Sequence, residues 1–163
     1  MKIAIVEDSG FTNKEFREIF RKKAESFAGC EIVYLPGGKD FPTDINGALK
    51  KIAADILITT DLQGFEKCTL TDNIAYNLAD CRQIHLLLHE HPDNEHFLAK
   101  QLSISMFFYC RGDDYYEFLR NTYPEIPYLK SIPEWDMGTE GGAARADALF
   151  AIVTEVAGEC GIC

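Results

Sequence analysis

Short unbroken runs of apolar residues alternate along this chain with longer stretches in which apolar residues recur every three or four positions. The first pattern marks strands buried on both faces and the second marks helices with one buried side. Five strands are predicted: Lys2 to Glu7, Glu31 to Pro36, Asp55 to Asp61, Gln83 to Glu90, and Ser103 to Cys110. Between the first two, Thr12 followed by Glu15 reads as a capping box, and Phe16, Ile19, Phe20 and Phe27 form one apolar stripe. A second helix, about Thr43 to Ala53, is capped by Thr43 and buries Ile45, Ala48, Leu49 and Ile52. A third covers Thr71 to Cys81, and a fourth, capped by Asp93, carries Phe97, Leu98 and Leu102.

Strands that alternate with helices of this length are parallel neighbours, because a parallel pair needs a long crossover, and right-handed crossovers place helices on both faces. The expected fold is therefore α/β, a three-layer flavodoxin-like or Rossmann-like sandwich on a five-stranded, mainly parallel sheet. Residues 1–110 form the core, and 111–163 form a C-terminal extension packed on it. That extension holds a tyrosine-rich helix, Asp113 to Tyr123, then prolines 124, 127 and 133, and the single Trp135. Gly138-Thr139-Glu140-Gly141-Gly142 opens a last apolar helix from about Ala143 to Val156, leaving Cys160-Gly161-Ile162-Cys163 to fray.

A length of 163 residues suits one domain. The formal net charge of -10 has the wrong sign for neutralising a phosphate backbone, so duplex nucleic acid is not an expected partner. No run reaches the roughly eighteen apolar residues that span a bilayer, no membrane association is expected, and the chain opens on a charged strand. A cytoplasmic protein with reduced cysteines is predicted.

In an open parallel sheet, ligands bind beyond the carboxyl ends of the strands. Three carboxylates fall there, Glu7 and Asp8 after the first strand and Asp61 after the third. Carboxylates crowded together repel unless a cation neutralises them, and such hard oxygen ligands suit Mg2+. All four histidines lie between Ile84 and Phe97. His89 and His91 are two apart and share a side if the strand continues, which makes Zn2+ a secondary candidate. His85, among Ile84, Leu86, Leu87 and Leu88, reads instead as a buried neutral histidine with a hydrogen-bond partner. Gly138, Thr139, Gly141 and Gly142 could present backbone amides to a small anionic ligand at the start of the last helix.

The segment Lys2-Ile3-Ala4-Ile5-Val6-Glu7-Asp8-Ser9 resembles the start of bacterial response-regulator receiver domains over about residues 1–115. The resemblance implies that Glu7 and Asp8 bind magnesium beside a phosphorylated aspartate, here Asp61, the residue that would carry the chemistry. His89-Glu90 stands where a receiver has Ser or Thr, and Cys110-Arg111 where it has Lys, which implies altered phosphorylation chemistry. Glu7 and Asp61 are also similar to the acidic residues of Toprim domains, with Gln63 in place of the second acid of the later pair. The leading expectation is a magnesium-binding, receiver-like signalling domain. Its rivals are a nucleotide or nucleotide-sugar binding, glycosyltransferase-like domain, and a non-catalytic interaction module that binds a protein partner through Asp113 to Trp135.

Overall fold

The computed structural model describes residues 1–7, 11–27, 29–60, 81–88, 90, 106–132 and 141–162. Strands β1 (Lys2–Val6), β2 (Glu31–Leu35), β3 (Ile56–Thr60), β4 (Arg82–Leu87), β5 (Met106–Arg111) and β6 (Leu129–Ile132) form one sheet in the order β2-β1-β3-β4-β5-β6. Every pairing in it is parallel. The described helices are α1 (Lys14–Ser26), α2 (Ile45–Ile52), α3 (Asp113–Thr122) and α4 (Gly142–Cys160). The fold is thus α/β with a parallel sheet, compatible with a flavodoxin- or Rossmann-like layout.

The sheet has six strands rather than five. β6 escapes a pattern search because Leu-Lys-Ser-Ile is only four residues long, lacks a β-branched run, and lies between Pro127 and Pro133. It pairs with β5 at the border of the sheet, where flanking prolines interrupt no central ladder. Residues 133–140, like the predicted third and fourth helices apart from Cys81, lie outside the described residues.

Alternation along the strands divides the core between the two faces. Ile3, Ile5, Ile56, Ile58, Ile84 and Leu86 meet α1 and α4 on one face. On the other, Ala4, Val6 and Leu57 pack on Ile45 and Leu49 of α2, and Leu87, Phe108 and Cys110 pack on Tyr115 and Leu119 of α3. Handedness explains the division. The step from β1 to β2 runs opposite to the step from β2 to β3, so right-handed crossovers put α1 and α2 on opposite faces.

The caps of α1 and α2 each lie one residue beyond the expected position, while α3 starts at Asp113 as predicted. Asn13, not Thr12, caps α1, its side-chain oxygen accepting from Phe16 N–H at 2.9 Å. Thr12 is instead buried and bound to Arg17 through its carbonyl. Asp44, not Thr43, caps α2 and accepts from Gly47 N–H at 2.9 Å. Asn13→Ala should lower folding stability by about 1 kcal/mol, read by urea unfolding, while Thr12→Ser should change it far less.

The last helix is longer than predicted and its end does not fray. Ile162 N–H donates to Ala157 O at 2.9 Å around Gly161 (φ 65°), and half-buried Cys160 and Ile162 pack on the α1/α4 core. A small residue, Gly142, lets α4 begin against the backbone of Phe16. No described helix is long and apolar enough to cross a membrane.

Candidate functional site at the carboxyl edge of the sheet

The sheet direction reverses between β1 and β3, which lie side by side with Ile3 opposite Ile56 and Ile5 opposite Ile58. Ligand crevices of open α/β sheets form outside the carboxyl ends at such a reversal. The carboxyl ends of β1 and β3 are Val6-Glu7 and Thr60, and residue 61 follows directly in the chain.

Glu7 extends β1 by one residue, its N–H donating to Leu35 O at 2.8 Å, and it points to the α1 face. There its Oε1 meets Arg17 Nη2 at 2.7 Å. Arg17 is itself fixed, donating through Nε to Thr12 O at 2.7 Å and lying 4.4 Å above the Tyr34 ring. A guanidinium therefore already stands beside the first of the predicted metal ligands. Asp8, Asp61, His89 and His91, the other predicted ligands, lie outside the described residues. Among the described residues no group of three or more His, Cys, Asp or Glu side chains is placed to hold a metal ion.

The glycine-rich start of α4 meets an anion supplied by the chain itself. Gly142 N–H donates to Glu15 Oε2 at 2.7 Å. Glu15 was expected to complete a capping box on α1; because α1 and α4 start together at this edge, it caps α4 instead. Gly141 is the N-cap of α4 and offers no side chain for capping, so the carboxylate of a distant residue does that work. Gly138 and Thr139 lie outside the described residues.

The predicted burial of His85 is observed, at 2 % exposure. It lies on the α2/α3 face, in a polar cluster within the apolar core. Gln83 donates through Nε2 to Thr59 Oγ1 at 3.1 Å, and Thr59 Oγ1 lies 2.7 Å from His85 Nδ1. The Thr59 hydroxyl oxygen has two acceptor sites, so it serves Gln83 and can either donate to Nδ1 or accept from it according to the tautomer of His85. Burial pushes the His85 pKa down to about 3, so the ring stays uncharged at neutral pH.

At the ends of β4 and β5 an open cleft of about 480 Å³ is lined by Glu90, Arg111, Asp113, Asp114 and Tyr115, among others. Asp113 accepts from Ser131 Oγ at 2.5 Å, tying the start of α3 to β6. Cys110, just below, is no nucleophile: burial pushes its thiol up to about 12, and Sγ lies 3.5 Å from Lys130 O. In the tyrosine-rich helix Tyr115 is core, while Phe118 is 47 % exposed.

Two residues at this edge escaped the sequence reading. Arg145, in the first turn of α4, is 5 % exposed, and Thr60, at the end of β3, is also 5 % exposed. The sequence does carry a signal for the first. Arg145 falls on the stripe Gly142, Ala146, Leu149, Ile152, Val153, an arginine where the helical period demands an apolar residue.

Compared with protein-family models, with curated proteins and with solved structures, the chain gives no match.

Proposed function

We propose that the protein is a cytoplasmic, divalent-cation-binding, receiver-like α/β domain, with Glu7, Asp8 and Asp61 at its site and Asp61 as the residue that would accept a phosphoryl group. One observation supports this reading: β1 and β3 are parallel neighbours where the strand order reverses, so the acids that follow them in the chain leave from adjacent strand ends. The order β2-β1-β3-β4-β5 of the first five strands is that of flavodoxin-like sheets, the layout in which this crevice binds ligands. Glu7 shares its charge with Arg17, so in this reading it orients the site while Asp8 and Asp61 bear the larger part of the metal charge.

The nucleotide-sugar alternative uses the carboxyl edge together with the glycines that open α4, and of these the Gly142 amide meets Glu15. An interaction module built on Asp113 to Trp135 loses Tyr115 and Leu119 to the core. Thermal unfolding of metal-stripped protein separates these readings. Magnesium at ten times its Kd should raise Tm by about 3–5 °C, and Asp61→Asn should abolish the rise. An unchanged Tm in millimolar magnesium overturns the proposal. Stabilisation by nucleotides or nucleotide sugars without any magnesium effect would favour the alternative.

A further inference from the structure

Among the described residues, the α1/α4 face of the sheet holds two buried polar groups toward its carboxyl end without a hydrogen-bond partner. Arg145 Nε is buried without a hydrogen-bond partner, and among the described residues no ion pair to its guanidinium is found. Thr60 Oγ1 is likewise buried without a partner. Alternation along β3 puts Thr60 on the side of Ile56 and Ile58, the side that α4 covers. Arg145 approaches the same end from above. Long helical side chains lean toward the helix N-terminus, and the α4 N-terminus lies at the carboxyl edge, joined to the start of α1 by the Gly142 to Glu15 hydrogen bond.

An arginine keeps its charge in any protein environment, and a buried charge is tolerated only when an opposite charge meets it. The described acids of this corner are otherwise engaged. Glu7 pairs with Arg17, Glu15 accepts from Gly142 N–H, and Asp147 pairs with Lys23 at 2.5 Å. Among the described residues, then, no anion meets the Arg145 guanidinium, and one bound from outside would satisfy it. A planar carboxylate is satisfied by one guanidinium fork, whereas donors from two walls, a helix above and a strand below, suit a tetrahedral oxyanion with oxygens facing both ways.

We propose that Arg145 and Thr60 form a binding site for a phosphate group, either free or carried as the monoester of a small molecule, between the start of α4 and the end of β3. The site lies beside the proposed cation crevice but does not depend on it, since Glu7, Asp8 and Asp61 take no part in it.

Titration calorimetry of the full chain in sodium chloride and a metal chelator tests this, with inorganic phosphate and methyl phosphate as separate probes. Calorimetry is preferred to melting because phosphate salts raise the Tm of most proteins by exclusion from their surfaces. Saturable binding of either probe is expected. Tighter binding of the ester would identify a phosphorylated small molecule as the ligand, and of inorganic phosphate the free ion. Arg145→Met should weaken binding at least about 30-fold. It should also melt no lower than the wild type in phosphate-free buffer, because an apolar side chain replaces an unpaired buried charge. Thr60→Val, close to isosteric, should weaken binding about 10-fold while leaving the fold intact. Absence of binding, or equal binding by wild type and both variants, overturns the proposal. So does a lower Tm for Arg145→Met in phosphate-free buffer, which would mean that a carboxylate of the chain already pairs with the arginine. A magnesium shift without phosphate binding would leave the cation reading standing and remove this one.

Discussion

Acidification from pH 7 to pH 5 should cost the protein about 2 kcal/mol of folding stability through His85 alone. The folded-state pKa is lowered to about 3 by burial, from an ordinary value of 6.5. Between those two values the unfolded chain binds a proton at this residue and the folded chain does not. Acid therefore favours unfolding. The contribution is complete above about pH 6.5 and declines by about 1.4 kcal/mol per pH unit, reaching a loss of about 4 kcal/mol near pH 3. Urea unfolding at pH 7, 6 and 5 measures the slope. His85→Asn isolates it, because an asparagine amide can donate to or accept from Thr59 and does not titrate. A variant with the same pH dependence as the wild type would show that His85 is charged, or exposed, in the folded protein.

Gly142→Ala should lower stability by about 3 kcal/mol and Tm by roughly 6–12 °C. A Cβ at this position would stand 2.3 Å from Phe16 N and 2.8 Å from Phe16 Cα. Both are backbone atoms inside α1, so no side chain can rotate away, and α4 must lift from α1. That lift would stretch the Gly142 to Glu15 hydrogen bond and loosen the packing of Phe16 and Phe20, each fully buried. Gly158→Ala is the internal control. It lies in the same helix with open space around its Cβ position, and there alanine should raise stability by about 0.5–1 kcal/mol through helix propensity. If both variants melted alike, the close approach of α4 to α1 would be refuted.

These two sites show how differently the parts of the molecule were written in the sequence. His85 was legible because a histidine inside Ile84-His85-Leu86-Leu87-Leu88 has few alternatives to burial in a neutral form. Its partners, Thr59 and Gln83, were not, since which strand lies beside β4 is decided by the order of the sheet. Gly142 was noticed as an amide for an anion, and the anion it meets is Glu15 of the same chain. A glycine run before a helix is the common signature of an anion-binding amide and of close helix packing, and only the position of α1 distinguishes them.

The hydrophobic periods of the chain by themselves determined that it would be α/β, where five of the strands lie, and that Phe16 and Phe20 of α1 and Ile45 and Leu49 of α2 would be buried, because a period of two or of 3.6 is a local property of the backbone. The caps of α1 and α2 came within one residue, and at α1 Thr12 is buried and Glu15 is drawn to the start of α4. Tertiary structure alone decided the rest. It added β6, whose four residues gain strand geometry only by pairing with β5. It gave Glu7 to Arg17, it brought the N-termini of α1 and α4 together, and it buried Arg145 Nε and Thr60 Oγ1 without a hydrogen-bond partner among the described residues. Charge pairing and burial are relations between residues far apart in the chain, and a linear pattern carries no record of which distant residue stands opposite.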